Sequence, residues 1–125
     1  MAEEKKGCAC EGGVQLIFPC SGAADVGEIS DRAARQMTGR GHGKMFCLAG
    51  IGGNVGGIIA SAAGADRVLV IDGCSLDCAK KTLEEKHIGG FTHFRVTDMD
   101  MEKGKAPATD ERITAVADKG ISLLT

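Results

Sequence analysis

Four consecutive aliphatic residues, Val68-Leu69-Val70-Ile71, run straight into Asp72-Gly73-Cys74, and this stretch constrains the chain most. A short continuous run of β-branched and aliphatic side chains has the composition of a parallel strand buried on both faces. Asp72-Gly73 breaks the run, and Ser75 stands where it can cap a helix over residues 75–86 carrying Ala79, Thr82 and Leu83. Cys74 then falls at the carboxyl end of the strand and Cys78 in the first helical turn. Positions one helical turn apart share a face, so the two sulfurs can converge. A helix N-terminus also favours negative charge, and with it the thiolate form.

The rest of the chain repeats this strand-to-helix grammar. Residues 14–18 form a short apolar strand, closed by Pro19-Cys20-Ser21-Gly22. A helix starting at Asp25 then carries Val26, Ile29, Ala33 and Met37 at core spacing until the glycines at 39, 41 and 43. Residues 44–49 read as a second strand with Cys47 near its end, followed by a Gly-rich turn and a small-residue helix over 55–63. Residues 91–96 read as a fourth strand. There Thr92, Phe94 and Val96 alternate with His93 and Arg95, the pattern of an edge position. A polar loop over 97–105 leads to a last helix over 107–119, stopped by Gly120, with 121–125 as a frayed end or a short extra strand.

Strands alternating with helices imply an α/β fold: a single three-layer domain with a four-stranded, mainly parallel sheet flanked by helices, Rossmann-like or flavodoxin-like. The strand orders 2-1-3-4 and 3-2-1-4 fit equally well. In either, right-handed crossovers bring the strand carboxyl ends to one edge, where open α/β sheets bind ligands near a switch in strand order. The domain is expected over residues 13–125, with 1–12 as a flexible tail that carries Cys8 and Cys10 without a folded partner.

Composition removes several function classes. The 125 residues carry a net charge of −2 and lack Trp and Tyr, which argues against nucleic-acid binding. No apolar run is long enough for a membrane span, and the charged N-terminus lacks a signal-peptide core, so a cytoplasmic protein is expected. Six cysteines in a reducing compartment point to ligands or redox thiols instead of a disulfide framework.

Cys20, Cys47, Cys74 and Cys78 all fall at the functional edge by this reading, which makes them the candidate metal ligands. Cys20 does not open a phosphatase loop, since Val26 stands where that loop needs arginine. Four thiolates suit tetrahedral Zn²⁺, at Zn–S distances of about 2.3 Å; iron or an iron–sulfur cluster suits four cysteines as well. His42, His87 and His93 are substitute ligands by residue type but read as surface or turn histidines, none at ligand spacing to a cysteine. Two other classes compete. One is a thiol redox or sulfur-relay protein using Cys74 and Cys78. The other is a nucleotide binder using the glycines from Gly50 to Gly56, followed by Asp72 as a ribose-binding acid. Against the latter, the glycines at 50, 52 and 53 are expected to serve packing and turning. A protein partner, a substrate and an enzymatic reaction are not specified by any of these patterns.

The motifs Cys20-Ser21-Gly22, Cys47-Leu48-Ala49-Gly50-Ile51-Gly52 and Ile71-Asp72-Gly73-Cys74, followed by Cys78-Ala79, resemble the DGC-domain family, named for its central Asp-Gly-Cys. The resemblance covers roughly residues 14–90. It implies zinc binding through four cysteines, carried here by Cys20, Cys47, Cys74 and Cys78, and implies no particular reaction.

Overall fold

The computed structural model describes residues 13–125. Its elements are β1 (Gln15–Pro19), α1 (Asp25–Gly39), β2 (Lys44–Met45), α2 (Leu48–Gly52), α3 (Gly56–Gly64), β3 (Arg67–Asp72), α4 (Cys78–Glu85), β4 (Thr92–Arg95) and α5 (Asp110–Leu124), with a 3-10 turn at Val96–Met99. All strand pairs are parallel, and the spatial order is β2-β1-β3-β4. This is the flavodoxin-like alternative of the two expected. β4 lies at an edge, as its alternating pattern predicts.

Alternation along the central strands builds two cores. Ile17, Leu69, Ile71 and Phe94 face α1 and α5, while Leu16, Phe18, Val68 and Val70 face α2, α3 and α4. Burial on both faces explains why β1 and β3 read as unbroken apolar runs. On the second face Phe46 meets Phe18 edge-on, with ring centroids 6.0 Å apart.

Three expected boundaries change. The second strand stops at Met45, because Leu48–Gly52 turns into a short helix with Cys47 at its N-cap. Helix α4 begins at Cys78 and is not capped by Ser75; Asp77 precedes it in a left-handed conformation with φ 55°. The last helix continues through Gly120 to Leu124, in place of a stop at 120 and a frayed end or strand over 121–125. Gly120 is there for packing: a Cβ on it would lie 2.6 Å from Met37 Sδ and 2.9 Å from Met37 Cε across the α1–α5 contact. Met101 is buried within the 97–105 loop expected to be polar, and Ala106 is buried just after it. Among the described residues no helix is long and apolar enough to cross a membrane.

Candidate functional site

The strand order reverses direction between β1 and β3, and the carboxyl ends of these two strands frame the site. Cys20 is the first residue beyond β1, and its N–H donates to Ile71 O at 2.7 Å. The buried Ser30 hydroxyl donates to the same carbonyl at 2.9 Å, so the end of β3 grips both the β1 exit and α1. Cys74 follows β3, Cys78 opens α4 and Cys47 caps α2. All four candidate ligands therefore lie at the carboxyl edge. Cys20 and Cys74 are partly buried, and Cys47 and Cys78 are exposed.

Their surroundings differ. Cys20 packs against the α2–α4 core and Cys74 against the α1–α5 core, on opposite sides of the sheet edge. Burial pushes the Cys20 thiol above its ordinary pKa, and the nearby Asp72, Cys78 and Cys74 push it the same way, against a hydrogen bond from the Gly73 backbone. Cys74 and Cys78 thus lie near enough to Cys20 to act on its thiol. Cys74 opens into a cleft of about 730 Å³ that Ser75, Leu76, Thr97 and Lys103 also line. Cys47 lines a different cleft, with Arg35, Met45 and Phe46.

Each residue of Asp72-Gly73-Cys74 has its own physical task. Asp72 is 1% exposed and reaches across to the start of α4, accepting from Ala79 N at 2.8 Å and Lys80 N at 3.0 Å. It supplies the helix cap that was expected from Ser75, and it places a negative charge where the helix dipole favours one. Gly73 lets α1 approach: a Cβ there would lie 3.0 Å from Gly27 N, Val26 C and Val26 O. Cys74 then projects beyond both elements toward the cleft.

A polar network on β4 supports this turn. His93 Nε2 lies 2.9 Å from Asp72 Oδ2, and Arg95 donates to both oxygens of Asp77 at 2.7 Å. The Arg95 guanidinium holds the Asp77 carboxyl below the usual carboxylate range. His93 is thus a strand residue bonded to Asp72, not the surface or turn histidine expected. His42 follows α1 in an exposed turn and His87 follows α4 with φ 59°, as turn histidines do. Among the described residues Asp72, Asp77 and His93 form the one group of three ligand-type side chains whose atoms lie within 4.8 Å of each other. Helix capping, His93 and Arg95 already occupy its oxygens, so the group reads as a clamp fixing the Cys74–Cys78 turn. The sequence signal for it was the His93/Arg95 alternation opposite Phe94, joined to a lone acid ending an apolar strand.

Four backbone N–H groups of the glycine turn are taken up inside it. Gly50 N, Gly53 N, Asn54 N and Val55 N donate within the turn, to Cys47 O, Ala49 O, Ile51 O and Gly50 O. A Cβ on Gly50 would collide with Ile58 of α3, so this glycine lets α2 and α3 pack closely. Cys8 and Cys10 lie outside the described residues.

The family profile described as the DGC domain matches residues 16–119. The chain therefore belongs to the DGC-domain family. A protein of Pseudomonas aeruginosa named "Anaerobic and virulence modulator AnvM" is 27% identical over 88 residues, covering 70% of this chain and 67% of that protein. No solved structure gives a significant match.

Proposed function

We propose that this member of the DGC-domain family is a cytoplasmic zinc-binding protein whose ion is held by the thiolates of Cys20, Cys47, Cys74 and Cys78. The observation that carries this reading is their placement: four cysteines from separate segments leave β1, precede α2, follow β3 and open α4 at a single sheet edge. The donor chemistry fits, since four thiolates form the tetrahedral set that Zn²⁺ prefers. A zinc tetrahedron brings its sulfurs to about 3.8 Å from one another. Among the described residues no three of these sulfurs lie within 4.8 Å of one another, so closing the site requires all four to converge, Cys20 and Cys74 from opposite sides of the sheet edge. Bound zinc would supply a positive centre that keeps these thiols deprotonated and locks the turn. The relative's name calls it a modulator, which accords with a regulatory role for this chain.

The test is thermal unfolding of wild type, Cys74→Ser and Cys78→Ser, each with added zinc and with chelator. An ion bound only by the folded state stabilises it by about 4 kcal/mol at a thousandfold excess over Kd. Wild type should gain in this way and both variants should lose most of the gain. Chelator-insensitive melting of wild type, with variants that melt alongside it, would remove the zinc reading and favour a redox dithiol at Cys74 and Cys78.

A further inference from the structure

Resting on the zinc reading, we propose that Lys103 is an outer positioning residue of the metal site, its ammonium donating to the Cys74 sulfur from a loop that Asp25 pins in place. Lys103 Nζ lies 3.6 Å from Cys74 Sγ, within reach of an N–H···S hydrogen bond. Among the described residues no carboxylate pairs with Lys103, and its neighbour Glu102 faces Lys105 at 3.7 Å. The charge is therefore left to the sulfur.

The loop is held by a single side chain from another element. Asp25, at the first turn of α1, accepts from Gly104 N and Ala106 N at 3.0 Å each, so it grips the backbone immediately after Lys103. Ala106 and Met101 are buried and anchor the loop on either side. The hydrogen bonds from Gly104 and Ala106 hold the Asp25 carboxyl below its ordinary pKa, as a working acceptor pair should. The same loop forms one wall of the cleft that Cys74 opens into.

Electrostatics gives the arrangement its purpose. Four thiolates around one Zn²⁺ leave an excess of two negative charges, which a nearby ammonium partly offsets. Outer partners of this kind are worth about 10- to 100-fold in metal affinity, and an exposed lysine belongs at the lower end. Because the pair is exposed, its effect should be screened by salt.

The experiment compares wild type, Lys103→Met and Lys103→Arg in zinc competition against a chromophoric chelator, at low salt and at about 1 M salt, where the Debye length falls to about 3 Å. Lys103→Met should weaken zinc binding about tenfold at low salt and release zinc correspondingly faster. Lys103→Arg should restore affinity to near the wild-type value, and the Lys103→Met deficit should shrink at high salt. Melting of the three metal-free proteins should coincide, which a merely structural role for Lys103 would not give. If wild type binds one zinc and Lys103→Met binds it equally well at low salt, this proposal is overturned while the zinc reading stands. If wild type binds no zinc, both fall together.

Discussion

Asp72 carries the most buried carboxylate among the described residues, and removing it tests its capping of α4. In Asp72→Ala, the buried Ala79 N–H and the half-buried Lys80 N–H lose the oxygens 2.8 and 3.0 Å away, and His93 loses its partner. A buried donor left without an acceptor costs about 1–3 kcal/mol. Loss of an N-cap acceptor costs about 1 kcal/mol. These contributions overlap, giving a total of about 2–4 kcal/mol, a large share of the roughly 5–15 kcal/mol that stabilises a domain. For a chain of this length the melting temperature should fall on the order of 10 °C. Asp72→Asn keeps an oxygen for Ala79 N but points its amide at Lys80 N–H, so about half of that loss is expected. The assay is thermal unfolding followed by circular dichroism, with chelator present throughout so that metal linkage does not contribute. Asp72→Ala melting within about 2 °C of wild type would refute the capping role.

Gly73→Ala and Gly120→Ala should behave differently although both add one methyl group. At Gly73 the new Cβ meets rigid backbone of α1 at 3.0 Å, so chemical denaturation should show a loss of about 1–3 kcal/mol. At Gly120 it meets the end of the buried Met37 side chain and Leu69 Cδ2 at 3.2 Å; the helical gain of about 1 kcal/mol for replacing glycine offsets part of that crowding, so the net loss should be smaller than at Gly73. The lowered Asp25 pKa predicts a pH effect of definite sign. Its contribution is complete above the unfolded carboxyl pKa of about 3.9 and is lost as pH falls through the lower folded value. Wild type and Asp25→Asn should therefore differ in stability at neutral pH and converge in strong acid, which unfolding titrations from pH 7 to 2 would check. Deleting residues 1–12 should leave the melting temperature and bound metal unchanged; loss of half the metal would make Cys8 or Cys10 a ligand.

Much of the fold was legible because burial writes itself into composition. The Val68–Ile71 run and the α1 positions Val26, Ile29, Ala33 and Met37 are apolar for the same reason that they are buried. What escaped depends on contacts between distant segments. Gly120 reads locally as a helix stop, yet only the approach of Met37 explains it. Ser75 has the right chemistry for a cap, but Asp72 reaches the free N–H groups of α4 from the end of β3. Cys47 follows strand-like residues, and the packing of Gly50 against Ile58 favours the early turn into α2. The cysteines were legible as candidate ligands from their repeated position after strands. Lys103 and Asp25 were not, since 78 residues separate them and only the folded loop brings Lys103 to Cys74.

Elemental analysis of protein purified without chelator, with an absorbance spectrum taken on the same sample, reads the bound metal itself. Wild type should carry one zinc per chain and show no visible absorbance from iron, and zinc should be substoichiometric after Cys20→Ser, Cys47→Ser, Cys74→Ser or Cys78→Ser. Wild-type protein that carries no zinc, or carries iron with the charge-transfer bands of an iron–sulfur cluster, would contradict the zinc reading.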